Sequence, residues 1–358
     1  MSIQLTNKLC ELLDIRYPIV LAGMAGIPHM VQLVSAVSNA GGLGTLGAAY
    51  MTPEEIKDAI QAIRKLTDAP FAVNIFSNVG SDNYENFDAV NKELNIIRES
   101  LGILSPDKQE IWTPDRFEEQ FHVLLEERIP VISSTFGLLS DYQVQQAKSL
   151  GIKIINKVTT VDEAIQAESR GCDVIVAQGS EAGGHRGSFD TSSRPSGANI
   201  GTMALVPQIV DHVETPVLAA GGIMDGRGLV ASLALGAQGV QMGTRFLTST
   251  ESGAHPVYKR ALLESTEEST VITNAFSGRP ARVIRNTFVQ HWETSRIEPL
   301  RFPTQNTLTR EIRNVSARQN NAEYMALWAG QGTRMLTADQ AAGDIINQIV
   351  TDARKILI

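Results

Sequence analysis

The sequence has few of the features that mark disulfide-rich or metal-binding proteins. Only two of its 358 residues are cysteines, Cys10 and Cys172, and they lie far apart in the chain. This argues against a disulfide framework and against a cysteine-based metal site. The sequence also has no HExxH motif and no Cys/His cluster that could hold a catalytic metal. We therefore expect neither a disulfide framework nor a bound metal.

Basic runs and long apolar runs are also missing. The 31 Lys and Arg residues are outnumbered by 39 Asp and Glu residues, and the resulting net charge of −8 disfavours a nucleic-acid partner. No apolar run approaches membrane-spanning length, and residues 1–18 have the pattern of a short amphipathic helix rather than a signal peptide. These absences predict a soluble, cytoplasmic protein that acts on small molecules. The oligomeric state is left open, with a homodimer as one option.

Eight short apolar runs, separated by stretches with helical periodicity, dominate the rest of the chain. Such runs are typical of parallel strands that are covered on both faces, and their alternation with helices indicates βαβ units. Eight such units favour a closed (β/α)₈ TIM barrel of the α/β class over an open sheet. The predicted strands are Pro18–Ala22, Leu43–Leu46, Phe71–Ile75, Val131–Ser134, Lys153–Asn156, Val174–Ala177, Val217–Ala219 and Gly239–Met242.

Two stretches interrupt this alternation. Residues 78–117 follow the third predicted strand and are long and polar, so we expect an irregular excursion near the barrel mouth. Residues 248–335 follow the eighth strand and are predicted to form a smaller C-terminal cap or substrate domain. Residues 336–358 have a helical apolar stripe and should return to the barrel. The barrel itself would then comprise residues 1–247 and 336–358.

The most informative segment is residues 178–188, QGSEAGGHRGS, after the sixth predicted strand. Active sites of such barrels lie at the C-terminal strand ends, and histidine is the usual side chain for proton transfer near neutral pH. Paired glycines also let a ligand approach the backbone. From the residues alone, His185 fits a catalytic residue and an ordinary loop histidine equally well. His29, in the first βα loop, is its nearest rival.

Glycine-bearing turns follow the seventh and eighth predicted strands. They contain Gly221 and Gly222 in one case and Gln241-Met242-Gly243-Thr244 in the other. Turns at this pair of strands form the phosphate site of many barrels, where backbone N–H groups bind the anion. Two ordinary tight turns remain the alternative. The sequence has no Gly-rich Rossmann fingerprint after its first strand, so a tightly held dinucleotide is disfavoured.

Two other strand ends carry residues suited to a flat ligand. Gly23 and Met24 follow the first strand, where the glycine allows close approach and the methionine can pack on an aromatic ring. Asn74 lies at the end of the third strand and needs hydrogen-bond partners there. A tight turn with a core methionine, and an amide that bridges loops, stay open as alternatives. With a phosphate site nearby, FMN fits this set of residues.

Several segments together resemble the nitronate monooxygenases, formerly called 2-nitropropane dioxygenases. The resemblance spans nearly the whole chain and is carried by YPIVLAGMAG, AGGLGTLGA, FAVNIF, SSTFG, AQGSEAGGHRGSF, PVLAAGGIMDGRG, GVQMGTRFL, SGRPARVIRN and YMALWAGQG. It implies an FMN-dependent barrel that uses dioxygen to oxidise alkyl nitronates, including propionate 3-nitronate, to a carbonyl compound and nitrite.

The resemblance also implies roles for individual residues. His185 would be the catalytic residue, stabilising a nitronate anion or acting as a base on a neutral nitroalkane. The implied flavin contacts are Gly23, Met24, Asn74, Gln178, Gly183, Gly221, Gly222, Gln241, Met242, Gly243 and Thr244.

Related functions on the same fold compete with this interpretation. A flavin-dependent enoyl-acyl-carrier-protein reductase would share the EAGGH, AAGGI and GTRF segments, but Arg186 and the WAGQG segment favour the nitronate enzyme. A quinone reductase and a non-enzymatic flavin-binding protein are further alternatives. IMP dehydrogenase is rejected, since it needs a loop cysteine nucleophile and Cys172 precedes the sixth strand.

Overall fold

The computed structural model describes residues 4–104 and 111–357. The strands in this part of the chain are β1 (Ile19–Leu21), β2 (Gly44–Gly47), β3 (Phe71–Phe76), β4 (Val131–Thr135), β5 (Lys153–Val158), β6 (Val174–Gln178), β7 (Gly184–His185), β8 (Val217–Ala220), β9 (Gly239–Met242), β10 (Thr270–Thr273) and β11 (Ala281–Ile284).

Eight of these strands form one parallel sheet in the order β1-β9-β8-β6-β5-β4-β3-β2. A parallel bridge between Val20 and Leu43 joins the two ends of that order: Leu43 N donates to Ile19 O at 2.9 Å, and Leu21 N donates to Leu43 O at 2.8 Å. The sheet therefore closes on itself, and the predicted (β/α)₈ barrel is confirmed. All eight predicted strands are present.

The described residues form several α-helices, and only some of them follow a barrel strand and cover its outer side. They are α1 (Lys8–Leu13), α2 (Met30–Asn39), α3 (Pro53–Arg64), α4 (Phe87–Ser100), α5 (Phe117–Glu126), α6 (Asp141–Ser149), α7 (Val161–Ser169), α8 (Thr202–Val210), α9 (Gly226–Ala234), α10 (Thr244–Leu247), α11 (Pro256–Glu264), α12 (Thr287–Ser295), α13 (Thr304–Leu308), α14 (Arg310–Arg318) and α15 (Ala342–Leu357). No helix in the described ranges has both the length and the apolar composition needed to cross a membrane.

Alternation along the strands separates the barrel interior from the layer beneath the helices. In β1, Ile19 and Leu21 pack in the large cluster that includes the helices, whereas Val20 packs in a separate cluster with Leu9 and Leu13 of α1. This is the period-two pattern of a strand. The second cluster also takes side chains from β3, β4, β5, β6 and β8, so α1 plugs the barrel interior. This leaves the opposite, carboxyl-terminal end for a site.

The predicted excursion 78–117 is only partly irregular. Its residues 87–100 form α4, in which Val90, Leu94 and Ile97 recur at helical spacing and are buried. They pack in one cluster with residues from 275–312, so the expectation of an irregular stretch was wrong for this helix. Residues 105–110 lie outside the described residues. We propose that the cap comprises residues 248–335 together with α4.

The C-terminal segment returns to the barrel as α15, which packs on α2 and α9. The helix begins at Ala342, later than the predicted return at residue 336. Residues just before it are engaged elsewhere, since the Gln340 side chain accepts a hydrogen bond from Arg245 Nη2 at 2.6 Å. The division into a barrel of residues 1–247 and 336–358 and a cap stays a proposal.

Candidate active site

A cavity of about 770 Å³ opens at the carboxyl ends of the barrel strands and extends under the cap. It brings together all of the residues that the sequence singled out for a site. These are Gly23, Met24, Asn74, Gln178, Gly183, His185, Gly221, Gly222, Gln241, Met242, Gly243 and Thr244. The rival histidine, His29, is exposed and is not among the described lining residues. The binding and catalytic roles of the lining residues stay predictions.

His185 lies on a strand rather than in a loop. The two-residue strand β7 pairs antiparallel with β11 of the cap, so that His185 is opposite Ala281 and Gly184 is opposite Arg282. The backbone N–H of Arg186 then donates to Pro280 O at 2.8 Å. The prediction of a loop was wrong here because the pairing partner, the SGRPARVIRN segment, comes from about a hundred residues further along the chain.

Four aromatic rings enclose the imidazole of His185. The ring centroid of Trp328 lies 5.0 Å from that of His185, Phe136 lies at 5.6 Å, and Phe76 and Phe302 both lie at 6.4 Å. Phe76 and Phe136 come from the barrel, whereas Phe302 and Trp328 belong to the cap. These rings shield much of the imidazole from water, although His185 is half-buried rather than fully buried and still lines the cavity.

A serine of the cap orients the imidazole. Ser277 Oγ and His185 Nε2 are hydrogen-bonded at 2.8 Å, and Ser277 Oγ also lies 3.1 Å from Arg279 O. Ser277 itself is buried, with 1% of its surface exposed. Because the strand pairing holds the backbone and Ser277 holds the ring, His185 has little freedom to change its direction.

The aromatic enclosure and nearby positive charges lower the pKa of His185 to about 3. Desolvation by burial is the largest cause, followed by the charges of Arg279, Arg313 and Lys157. Desolvation disfavours the charged form of a histidine, and neighbouring cations act in the same direction. The imidazole is therefore neutral across the physiological pH range, and it offers a hydrogen bond rather than a positive charge.

Positive charge in the cavity comes from other residues. Lys157 at the end of β5 lines the cavity, and burial, with a further contribution from Arg186, lowers its pKa to about 8. Arg116, Arg310 and Arg313 also line the cavity, while Glu181 is the one carboxylate in the described lining. Glu181 is engaged, since Thr202 N and Oγ1 donate to its oxygens at 2.8–3.0 Å. The cavity is thus positively charged within an acidic protein.

The amide side chains in the cavity differ in how many of their polar atoms form hydrogen bonds with the protein. Gln178 donates from Nε2 to His185 O at 2.9 Å and accepts from Gly187 N at 2.8 Å, so its amide positions the His185 segment. Asn74 donates from Nδ2 to Ser133 and Thr135. Within the described residues, Asn74 Oδ1 and the whole amide of Gln241 have no hydrogen-bond partner, although both residues line the cavity.

The predicted phosphate turns lie side by side at the ends of β8 and β9, because these strands are neighbours in the sheet. Gly222 has φ +70°, a conformation that favours glycine. In the other turn, no side chain caps the N-terminus of α10 at Gly243. A cap segment contacts the turn after β9: Gly330 N donates to Thr244 Oγ1 at 3.0 Å. A Cβ atom on Gly183 would lie 2.5 Å from Gly330 N, so Gly183 is needed for this close approach.

Sequence reasoning missed several residues of the site. Lys157 follows a predicted strand by one residue, so the rule that a barrel site lies at strand ends could have found it. Trp328 and Gly330 belong to the WAGQG segment that was noted only as a resemblance. Ser277 begins the SGRPARVIRN segment, which was likewise noted only as a resemblance. Arg313 carried no local signal, because its place in the site depends on how the cap folds back.

A closed (β/α)₈ barrel with a ligand cavity at its carboxyl end, and a fixed histidine inside that cavity, defines an enzyme of the TIM-barrel class. Comparison with known proteins identifies the family. The chain belongs to the nitronate monooxygenase family, whose sequence model it matches over residues 6–352. It is 43% identical to a probable nitronate monooxygenase of Staphylococcus saprophyticus, with 99% of each chain covered. It is 44% identical to that of Staphylococcus haemolyticus, with 98% of each covered.

Solved structures of two other proteins resemble this chain over nearly its whole length. Nitroalkane oxidase from Streptomyces ansochromogenes superposes with a TM-score of 0.89 at 36% identity, covering 98% of both chains. FabK from Thermotoga maritima superposes with a TM-score of 0.77 at 30% identity, covering 99% of this chain and 98% of that one. The chain is therefore an oxidoreductase of the nitronate monooxygenase family.

Proposed function

We propose that this enzyme uses FMN and dioxygen to oxidise alkyl nitronates, propionate 3-nitronate among them, to a carbonyl compound and nitrite. The observation that carries the proposal is a neutral, fixed His185 in a cavity whose described lining includes the four cations Lys157, Arg116, Arg310 and Arg313 and one engaged carboxylate. A nitronate is an anion, so this lining attracts it. Membership of the family supports the same reaction.

The residues of the cavity fit FMN. The unpartnered Asn74 Oδ1 and Gln241 amide offer an acceptor and a donor–acceptor pair of the kind that the edge of a flavin ring requires. Gly222 and Gly243 would present backbone N–H groups to the phosphate, and Met24 suits contact with an aromatic ring. When bound, FMN would supply the redox chemistry by accepting an electron from the nitronate before dioxygen completes the oxidation.

His185 would act through geometry in this reaction. Because a nitronate has already lost its proton, the neutral imidazole need only orient it by a hydrogen bond. The donor would be Nδ1–H, in the tautomer whose Nε2 accepts from the Ser277 hydroxyl. Stabilisation of the nitronate charge would then fall to Lys157, a cavity-lining cation that also influences His185. A histidine whose conjugate acid has a pKa near 3 is a weak base. We therefore expect neutral nitroalkanes to be much poorer substrates than their nitronates.

The test is to purify the holoenzyme and compare oxygen uptake with propionate 3-nitronate against NADH oxidation with an enoyl thioester or a quinone. We expect nitronate-dependent oxygen uptake with release of nitrite, and FMN as the chromophore released on denaturation. Rapid NADH oxidation without nitronate turnover would instead assign the reductase functions. A yellow protein without any turnover would assign flavin binding alone.

The pH profile of kcat/KM with preformed nitronate should show no acid limb near the ordinary pKa of histidine. The reason is that His185, with its pKa lowered to about 3, stays neutral on both sides of that value. At the basic end, kcat/KM should fall as the pH rises through about 8, where Lys157 loses its proton. Initial rates measured from pH 5 to pH 9.5 check both statements. An inflection near pH 6.5 that disappears in a His185 variant would contradict them.

A further inference from the structure

One guanidinium group inside the cavity lacks an anionic partner. Arg313 of α14 donates from Nη2 to the carbonyl O and Oδ1 of Asn306 at 2.7 and 3.0 Å. Its Nε is buried and has no hydrogen-bond partner among the described residues, and no carboxylate in the described ranges forms an ion pair with it. A guanidinium held in this way is prepared for an anion that the protein itself does not provide.

The position of Arg313 separates it from the predicted phosphate turns. Those turns lie at the ends of β8 and β9, whereas Arg313 is on a cap helix next to Asn306 and influences Tyr50, and both of these residues line the cavity. The ring centroid of Tyr50 lies 5.8 Å from that of Phe76, which is one of the four rings around His185. Arg313 therefore lies on the His185 side of the cavity, in agreement with its influence on His185. The cofactor phosphate therefore does not account for its charge.

Nor is a single negative charge on the substrate enough to account for the cations around His185. Three cations influence His185. Arg279 donates to backbone carbonyl oxygens of Ser188 and Phe189 and is not among the described lining residues. Lys157 of β5 and Arg313 of the cap both line the cavity. A ligand with one nitronate group can neutralise one of these charges at close range. A ligand with two separated anionic groups can neutralise both.

We propose that Arg313 binds a carboxylate at the end of the substrate remote from the nitronate, and so selects nitronates that carry a second negative charge. A guanidinium matches a carboxylate with two parallel hydrogen bonds, and its Nε and Nη1 carry no protein partner here. The inference rests on the proposed function, since it assumes that the nitronate end reacts beside His185.

The experiment compares kcat/KM for propionate 3-nitronate and for propyl 1-nitronate, in which a methyl group replaces the carboxylate. We expect the wild-type holoenzyme to prefer propionate 3-nitronate by more than tenfold. Arg313→Met should lower kcat/KM for propionate 3-nitronate by about 100-fold and that for propyl 1-nitronate by less than about threefold. Arg313→Lys keeps the charge but not the paired donors, so its kcat/KM for propionate 3-nitronate should lie between those of wild type and Arg313→Met.

Arg318→Met is the matched control. Arg318 lies on the same helix, is exposed and does not line the cavity among the described residues, so its removal should leave the ratio of the two kcat/KM values unchanged. Equal losses with both nitronates in Arg313→Met would overturn the inference, as would a wild-type enzyme without preference. The wild-type preference can be measured even if the Arg313 variants do not fold. If wild type consumes neither nitronate, the proposed function itself is wrong.

Discussion

Replacing His185 with asparagine is expected to lower kcat/KM for alkyl nitronates by about 10²- to 10³-fold, the usual effect of losing one preorganised hydrogen-bonding group. Asparagine is too short to keep both the bond to Ser277 Oγ and contact with a substrate inside the aromatic enclosure. The FMN content should stay at the wild-type level, because Asn74, Gln241 and the glycine turns carry the proposed flavin contacts. Oxygen uptake and the flavin absorbance spectrum measure the two effects separately.

His29→Asn is the control for that substitution. His29 is exposed and makes no side-chain hydrogen bond at the start of α2, where its φ of +55° is a conformation that asparagine also adopts readily. Its kcat/KM should stay within about twofold of wild type. Full activity of His185→Asn with FMN bound would show that His185 is not the catalytic residue.

Replacing Arg186 with methionine is expected to destabilise the protein by about 2–4 kcal/mol and to impair turnover as well. Arg186 is fully buried and donates to the carbonyl oxygens of Gln178, Gly179 and Ala198 at 2.7–3.4 Å. Methionine fills most of the same volume but leaves these buried acceptors unsatisfied. Since they bracket the His185 strand, the histidine should also lose its fixed position.

Urea unfolding of the holoenzyme, followed by fluorescence, measures the destabilisation, and oxygen uptake in the folded range measures the loss of activity. Arg334→Met is the control, because Arg334 is exposed and pairs with Glu267 at the surface, where such a pair contributes about 0–1 kcal/mol. If Arg186→Met unfolds at the same urea concentration as Arg334→Met, the buried hydrogen bonds of Arg186 do not stabilise this segment.

The barrel was predictable because its signals are local. Each strand is a short apolar run, and chain order alone places consecutive parallel strands beside one another. The helix α4 was overlooked because its polar face dominates the composition, although Val90, Leu94 and Ile97 recur at helical spacing. A two-residue strand such as β7 has no periodicity, so its existence depends entirely on the distant β11.

The segment around His185 also combines features that the sequence reveals with contacts that depend on distant residues. Its glycines and histidine stood out because they follow a strand at the active end of a barrel. The strand pairing, Ser277 and Trp328 could not be read from it, since each comes from the cap more than ninety residues away. Gln178 lines the cavity, and its flavin contact stays a prediction; that its amide also holds the His185 backbone could not be seen from the sequence.

Local sequence patterns were enough to predict the eight strands, the glycine turns after them and the twelve residues that meet in one cavity, because strand ends are local features and the closed sheet brings them together. The neutral state of His185 and the positive charge supplied by Lys157 and Arg313 became visible only in the folded chain. Both depend on burial and on groups far apart in the chain. Desolvation and long-range charge are properties of the packed molecule.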